Sequence, residues 1–264
     1  MSVLKKNKMK KEITVFLHAL MFYTRIPCSK KIIFSPDYLN QATRYFPLIG
    51  WIVGIGITGI YGLSNSIFPP SISLILLLIT SVLITGAFHE DGFADVCDGF
   101  GGGWTKLQIL EIMKDSRSGA YALIGTILLY LLKFTTLYEL THQTFYRFLL
   151  VVILSHVLSR LAAVYIMFTE SYVREDELSK AKPIAKELST VNFLIAISWV
   201  IPIFILLQHP LFLLIILPVL LTAILLRRYF SKWIGGYTGD CLGAAQQITE
   251  IIILLCSLVI CKYI

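Results

Sequence analysis

The part of the sequence best suited to chemistry is an acidic stretch, His89–Gly119, that lies between long apolar segments. Within it, Asp91, Asp95 and Asp98 are spaced at i, i+4 and i+7, so on a helix they fall within about 60° of one another. Three like charges on one face repel, which favours a cation bound between them. Carboxylate oxygens are hard ligands that suit Mg²⁺ or Mn²⁺ better than zinc. We therefore predict a divalent-metal site with these three aspartates as ligands.

Glycines interrupt the same stretch and distinguish it from an ordinary polar loop. Glycine lets the backbone approach a ligand closely and presents amide N–H groups to oxyanions. A solvated acidic loop between membrane helices is the alternative, but it gives no reason for so many glycines. The residues are Gly92, Gly99, Gly101, Gly102 and Gly103. We predict that the last three contact substrate.

Four groups of motifs extend over almost the whole chain. They are Tyr23-Thr24-Arg25-Ile26-Pro27; Tyr45-Phe46-Pro47-Leu48-Ile49-Gly50; His89-Glu90-Asp91-Gly92 with Asp95, Asp98-Gly99, Lys114-Asp115-Ser116-Arg117 and Gly119; and Gly235-Gly236 with Thr238-Gly239-Asp240 and Gly243-Ala244. Together and in this order they resemble the cobalamin synthase family, the adenosylcobinamide-GDP ribazoletransferases, with no departure at the motif positions. Four motifs in family order are far more specific than one acidic motif.

The resemblance implies a membrane transferase of cobalamin biosynthesis. In that family's reaction, a hydroxyl of α-ribazole or its 5′-phosphate attacks the phosphorus attached to cobinamide, and GMP leaves. The expected substrates are therefore adenosylcobinamide-GDP and α-ribazole or its phosphate. Phosphoryl transfer depends on positioning and on charge stabilisation by metal ions and basic side chains. The expected cofactor is Mg²⁺.

Charged side chains of the motifs supply the candidate functional groups. Arg matches phosphate oxygens in pairs, and Lys acts as a point charge. His89 is a candidate general base or an orienting group for a carboxylate; a hydrogen-bonded histidine at a helix end is the alternative. Arg160 lies in an apolar segment, where a charge is costly unless it is paired or faces a cavity. The other candidates are Glu90 and Asp240 as metal ligands, Lys114, Asp115 and Arg117 as catalytic groups, and Arg25, Ser116, Gly239 and Asp240, together with Arg160, as substrate-binding groups.

Two other classes of protein share parts of this pattern. The spaced aspartates are similar in style to those of the CDP-alcohol phosphotransferases, although the full pattern of that family is missing. Carboxylates also bind ions in divalent-cation transporters. Transporter sites lie near the bilayer midplane, whereas these acids cluster at one membrane face, and Asp and Glu are almost absent from the predicted spans. Both classes are kept as alternatives.

Composition predicts an all-α integral membrane protein with a single domain over residues 1–264. The chain is 56% hydrophobic and 15% charged, with a mean hydropathy of +0.77, unlike ordinary soluble domains. We predict six to seven transmembrane helices, preceded by an interfacial or re-entrant helix over Ile13–Tyr23, which is too short to span. The predicted spans are 46–63, 71–88, 121–137, 147–168, 192–207, 211–226 and 248–260.

Three details of these spans are also predicted. Glycines in 46–63 favour close contact with a neighbouring helix. Lys133, inside 121–137, is expected to reach toward an interface with its long side chain. The run 248–260 is a span if its helix begins near Ala244, and otherwise a helix docked on the membrane.

Basic residues are concentrated on one side of the predicted membrane. Nine of the 23 Lys and Arg residues precede the first span, and the loops 89–120, 169–191 and 227–247 hold most of the others. The positive-inside rule makes this side cytoplasmic, so all motifs face the cytoplasm from a cell (inner) membrane. The net charge of +7 then indicates contact with the lipid bilayer and its anionic head groups rather than with nucleic acid. A homo-oligomer is compatible with this arrangement.

Overall fold

A computed structural model of the chain describes residues 3–28, 35–173 and 188–264; the central part of the predicted loop 169–191 lies outside these ranges. The described residues form α-helices and no β-strand, which confirms the all-α class. Short 3-10 turns, Thr43–Tyr45 and Pro210–Ile215, lead into two of the helices. The helices are α1 (Val3–Tyr23), α2 (Pro36–Ala42), α3 (Phe46–Asn65), α4 (Pro70–Thr85), α5 (Phe88–Gly102), α6 (Lys106–Ile112), α7 (Ala120–Leu140), α8 (Phe145–Thr169), α9 (Thr190–Ser198), α10 (Ile201–Leu207), α11 (Ile216–Ile234) and α12 (Gly239–Ile260).

Six helical stretches are long and apolar enough to cross a membrane, and α4 with α5 makes a seventh if the bent pair counts as one span. This agrees with the predicted number and indicates a multi-pass membrane protein. Each of the six contains one predicted span. The six are Asp37–Asn65, Ala120–Leu140, Phe145–Thr169, Thr190–Leu207, Pro210–Ile234 and Gly239–Ile260.

The predicted span 71–88 is wrong at its C-terminal end. α4 ends at Thr85, and the chain bends by 90° into α5. Gly86 and Ala87 form the corner with φ of 67° and 59°, a left-handed conformation that glycine adopts freely and alanine does not. The apolar run continues through the corner to Phe88, so hydropathy gave no sign of the bend.

The two ends of the chain form longer helices than their apolar runs predicted. α12 begins at Gly239, where the Thr238 hydroxyl accepts a hydrogen bond from the Cys241 amide at 3.3 Å. It is therefore a full candidate span rather than a docked helix. α1 begins at Val3 instead of Ile13 because its lysine-rich first half also favours helix. α1 is not a candidate span, and its interfacial or re-entrant placement stays a prediction.

α8 is the central helix, because 83% of its most apolar segment is buried. It packs against α3, α11 and α12. A Cβ atom on Gly50 would lie 2.5 Å from the His156 carbonyl oxygen, and one on Gly54 would lie 3.0 Å from the Ile153 Cα. These contacts confirm that glycines in the first span permit close approach of a neighbouring helix.

A cavity of about 730 Å³ lies between α8 and the two spans formed by residues 190–234. Its walls are almost entirely apolar and include Leu158, Phe204 and Leu220. Such a lining does not suit a charged ligand, so the acidic helix α5 is the better place to look for chemistry.

Candidate active site

Helix α5 carries the predicted metal-binding aspartates, and the structure confirms that they share one helix. Their surroundings differ: Asp91 is exposed, Asp95 is half-buried and Asp98 is buried. α5 packs against α7 and α12. This packing offsets the weak helix propensity of its internal glycines.

Asp98 caps the helix that follows the acidic stretch. Its Oδ2 accepts a hydrogen bond from the Gly119 amide at 2.5 Å, and its Oδ1 accepts one from the Ala122 amide at 2.9 Å. A carboxylate at a helix N-terminus satisfies free N–H groups and complements the helix dipole. The structure therefore gives Asp98 a structural role that its spacing alone did not predict.

His89 and Glu90 point into the helix bundle. The His89 ring is 2% exposed and stacks on Phe46 at 5.7 Å between centroids. Glu90 Oε1 accepts hydrogen bonds from the Tyr130 hydroxyl at 3.3 Å and from Gln247 Nε2 at 3.1 Å. Within the described part of the chain, His89 Nε2 and Glu90 Oε2 are buried without a hydrogen-bond partner. Both side chains are buried within the bundle.

The N-terminus of α12 packs closely against α5 at two glycines, Gly92 and Gly243. A Cβ atom on Gly92 would lie 2.9 Å from the Asp240 Cα, and one on Gly243 would lie 3.0 Å from the His89 carbonyl oxygen. These glycines permit close packing of α5 against α12, a role that we did not predict for Gly92. The same contact places Asp240 and the exposed Gly239 beside α5, as a shared site requires.

Among the residues that the structure describes, no three His, Cys, Asp or Glu side chains lie close enough to hold a metal ion. The predicted set of Asp91, Asp95, Asp98, Glu90 and Asp240 is therefore not gathered into one ready-made site. Mg²⁺ in phosphoryl-transfer enzymes usually binds one or two carboxylates together with substrate phosphates and water. Asp91 and Asp95 on α5, with Asp240 on the adjoining α12, fit that chemistry. The metal itself stays a prediction.

The end of α5 uses its glycines for packing. A Cβ atom on Gly101 would lie 2.6 Å from the Tyr121 ring, and one on Gly103 would lie 2.7 Å from the Ile109 side chain. The Gly103 amide donates to the Gly99 carbonyl at 2.9 Å, so it is already used within the helix. Of the three predicted substrate contacts, only Gly102 is both exposed and loosely packed.

Residues 114–117 form an exposed turn with an internal ion pair. Arg117 Nη2 lies 2.6 Å from Asp115 Oδ2, and the Arg117 side chain is 88% exposed. Hydrogen bonding from Arg117 lowers the pKa of Asp115 to about 2, so this carboxylate is ionised at neutral pH. Lys114 and Ser116 are exposed beside them. Arg117 can therefore reach an anionic ligand by exchanging its partner, whereas Asp115 lies with Arg117 rather than with the α5 carboxylates.

Arg25 lies at the corner that begins α5. Its amide donates to the Ile84 carbonyl at 2.7 Å, and its exposed side chain fills the space that a Cβ on Gly86 would take. The motif around Arg25 therefore lies beside the acidic helix, which is necessary if the two motifs form one site.

Arg160 is buried in the middle of the bundle. It is 1% exposed, and its Nη1 donates to the His156 carbonyl at 2.8 Å and contacts the His156 ring at 3.2 Å. Its guanidinium also lies 5.6 Å from the centre of the Phe46 ring. Its Nη1 is hydrogen-bonded to a backbone carbonyl, which is one way in which a charge within a span is accommodated. The side chain is enclosed by the described part of the bundle, which leaves it no open path to a substrate.

The profile of the cobalamin-5-phosphate synthase family matches residues 15–258 of the chain. The chain belongs to the cobalamin-5-phosphate synthase family. It is 42% identical over 241 residues to the adenosylcobinamide-GDP ribazoletransferase of Shewanella frigidimarina, covering 91% of this chain and 92% of that protein. It is 44% identical over 255 residues to the protein of the same name from Leptospira interrogans, covering 94% and 96%. No solved structure matches the chain.

Sequence reasoning missed a polar network in the core of this cobalamin-5-phosphate synthase family member. Lys133 does not reach toward an interface, because its Nζ is buried and lies 2.7 Å from Glu250 Oε1. The sequence places Glu250 near the end of the predicted span 248–260, but α12 begins at Gly239, so Glu250 is well inside the helix. The sequence did contain a signal for this pair, because one Lys and one Glu of opposite charge each lie within an apolar helix, where a charge usually needs a partner.

Proposed function

We propose that the chain joins adenosylcobinamide-GDP to α-ribazole or its 5′-phosphate, giving adenosylcobalamin or its 5′-phosphate and releasing GMP. The observation that carries this proposal is the family match over residues 15–258. The relatives that bear the ribazoletransferase name align over more than nine-tenths of the chain. The meeting of α5 with the N-terminus of α12 supports it, because acidic segments of two motifs come together there.

The reaction is a displacement at phosphorus. The acceptor hydroxyl oxygen forms a bond to the phosphorus attached to cobinamide, its proton passes to a base, and the bridging P–O bond breaks with its electron pair leaving on GMP. Bound Mg²⁺ would supply charge stabilisation for the diphosphate. Asp91, Asp95 and Asp240 are the side chains that we propose would hold it.

Basic side chains would bind the phosphates directly. Arg117 is exposed on the turn that follows α6, and its guanidinium suits bidentate contact with phosphate oxygens. Lys114 on the same turn and Arg25 at the α4–α5 corner are exposed and would add positive charge. We propose that these three residues face the cytoplasm, where nucleotide-linked substrates and GMP are present.

A direct test is GMP release by the purified protein in detergent, with adenosylcobinamide-GDP and α-ribazole, in the presence and absence of Mg²⁺. The proposal predicts equal amounts of GMP and cobalamin product, with no GMP when the acceptor is omitted. Parallel assays with CDP-linked alcohols and of divalent-cation flux in proteoliposomes test the two alternative classes. CMP release or cation flux without GMP release would contradict the proposal.

A further inference from the structure

A buried ion pair joins two spans in the interior of the bundle. Lys133 on α7 and Glu250 on α12 are 3% and 5% exposed, and Lys133 Nζ lies 2.7 Å from Glu250 Oε1. Gln246 Nε2 donates to Glu250 Oε2 at 2.7 Å and to Ser159 Oγ on α8 at 3.0 Å. Both charges are thus matched by hydrogen bonds, which a buried pair requires if it is to be tolerated.

Gln247 connects this pair to α5. Lys133 Nζ donates to Gln247 Oε1 at 2.5 Å, and Gln247 Nε2 donates to Glu90 Oε1 at 3.1 Å. Tyr130, one turn before Lys133 on α7, donates to the same Glu90 oxygen at 3.3 Å. The first turn of α5 is therefore tied to both α7 and α12 through Glu90.

The first turn of α5 has few local means of holding its own position. It follows the left-handed corner of Gly86 and Ala87, where no side chain caps the helix. Gly92 and Gly99 also lower the helix propensity of α5. Tertiary contacts must therefore fix the direction in which the helix leaves the corner, and with it the positions of the aspartates that follow.

We propose that Gln247 is a positioning residue, supported by Lys133 and Glu250, that fixes the start of α5 through Glu90. It thereby sets where Asp91 and Asp95 lie relative to Asp240. The expected effect on kcat rests on the proposed function. The expected effect on the position of α5 does not depend on any activity. We do not propose that Gln247, Lys133 or Glu250 touches substrate.

Gln246 provides a matched control for Gln247. The two are adjacent on α12, are 1% and 2% exposed, and each hydrogen-bonds inside the same network, where Gln247 Nε2 also donates to Gln246 Oε1 at 3.0 Å. Of these two glutamines, only Gln247 hydrogen-bonds to Glu90. Gln247→Met and Gln246→Met each remove one buried side-chain amide of the same size. If these residues served packing alone, the two substitutions would have similar effects on kcat and on α5 exchange.

The experiment compares the two variants in detergent by Tm, by kcat and KM for GMP release, and by hydrogen–deuterium exchange of residues 88–102. We expect kcat to fall roughly tenfold or more in Gln247→Met, as expected from loss of a buried hydrogen bond to a charged group, while KM changes little. Exchange in α5 should rise in this variant, whereas Gln246→Met, which leaves the Gln247–Glu90 hydrogen bond in place, should change kcat and α5 exchange much less. Tyr130→Phe, a milder change, should shift α5 exchange in the same direction as Gln247→Met.

Equal kcat and equal α5 exchange in the two glutamine variants, at comparable Tm, would overturn the proposal. If Gln247→Met did not accumulate, unchanged α5 exchange in Tyr130→Phe would overturn it instead. Absence of GMP release by the wild-type protein would contradict the proposed function, and the exchange measurement would still decide whether Gln247 holds α5.

Discussion

The acidic side chains of α5 share one helix but have different partners. Asp98 caps α7, and Glu90 joins the buried network. Asp91 and Asp95 are left on the parts of the helix that are exposed or half-buried. The same substitution, Asp to Asn, should therefore change the stability of the protein differently at Asp98, which caps α7, and at Asp91, a proposed metal ligand.

Asp98→Asn should lower the stability of the protein. The substitution removes the negative charge at the start of α7 and one of the two oxygens that accept amide hydrogen bonds, which should reduce the free energy of unfolding by about 1 kcal/mol or more. Asp91→Asn, at an exposed position, should change it by less than about 0.5 kcal/mol. Thermal denaturation in detergent measures both, and an unchanged Tm for Asp98→Asn would show that the cap contributes nothing.

Arg117→Lys should impair activity although the charge is kept. Loss of a bidentate contact with a phosphate should lower kcat/KM roughly ten- to a hundredfold. Lys106→Arg, an exposed basic position outside the motifs, is the control and should match wild type. If the kcat/KM of Arg117→Lys stayed within twofold of wild type in the GMP assay, Arg117 would not make a bidentate contact with phosphate.

At the element scale, helix α12 shows what the sequence could and could not predict. Hydropathy found its apolar half but not its first turns, where Gln246 and Gln247 are buried by other helices. The partners Lys133 and Glu250 are 117 positions apart, so no local pattern joins them. The i, i+4, i+7 spacing correctly placed three aspartates on one helix. It could not reveal that Asp98 would meet the start of α7, because that contact depends on the intervening chain.

The Lys133–Glu250 pair should tolerate loss of both charges better than loss of one. Lys133→Met leaves Glu250 buried without its main counter-charge, which should cost about 3–5 kcal/mol. The double variant Lys133→Met with Glu250→Gln should recover part of that loss. Chemical or thermal unfolding in detergent measures the difference, and additive losses in the double variant would show that the two charges do not stabilise each other.

On the scale of the whole molecule, the candidate spans place the motif-bearing segments at one end of the bundle. The turns after α3 and α7 lie at the opposite end if each intervening span crosses once. The Lys and Arg distribution predicts that the motif end is cytoplasmic. Most of the apolar segments of α7 and α11 are not buried by protein, as expected of helices that face lipid.

Single cysteines on a cysteine-free background test this orientation. Thr105→Cys and Lys232→Cys, both at exposed positions of the motif end, should resist an impermeant thiol reagent in intact cells and react after permeabilisation. Ser66→Cys and His142→Cys, exposed in the opposite turns, should react in intact cells. The reverse pattern would invert the topology.

We propose that carboxylates of α5 and α12 act through a divalent metal on the substrate diphosphate. The measurement that tests it most directly is GMP release as a function of Mg²⁺ for wild type, Asp95→Asn and Asp240→Asn, with Tm recorded for each. Chelation should stop release by wild type and Mg²⁺ should restore it, whereas each variant should stay folded and lose at least about a hundredfold in kcat at every Mg²⁺ concentration. A wild-type rate and Mg²⁺ dependence in Asp95→Asn would contradict a metal site on α5.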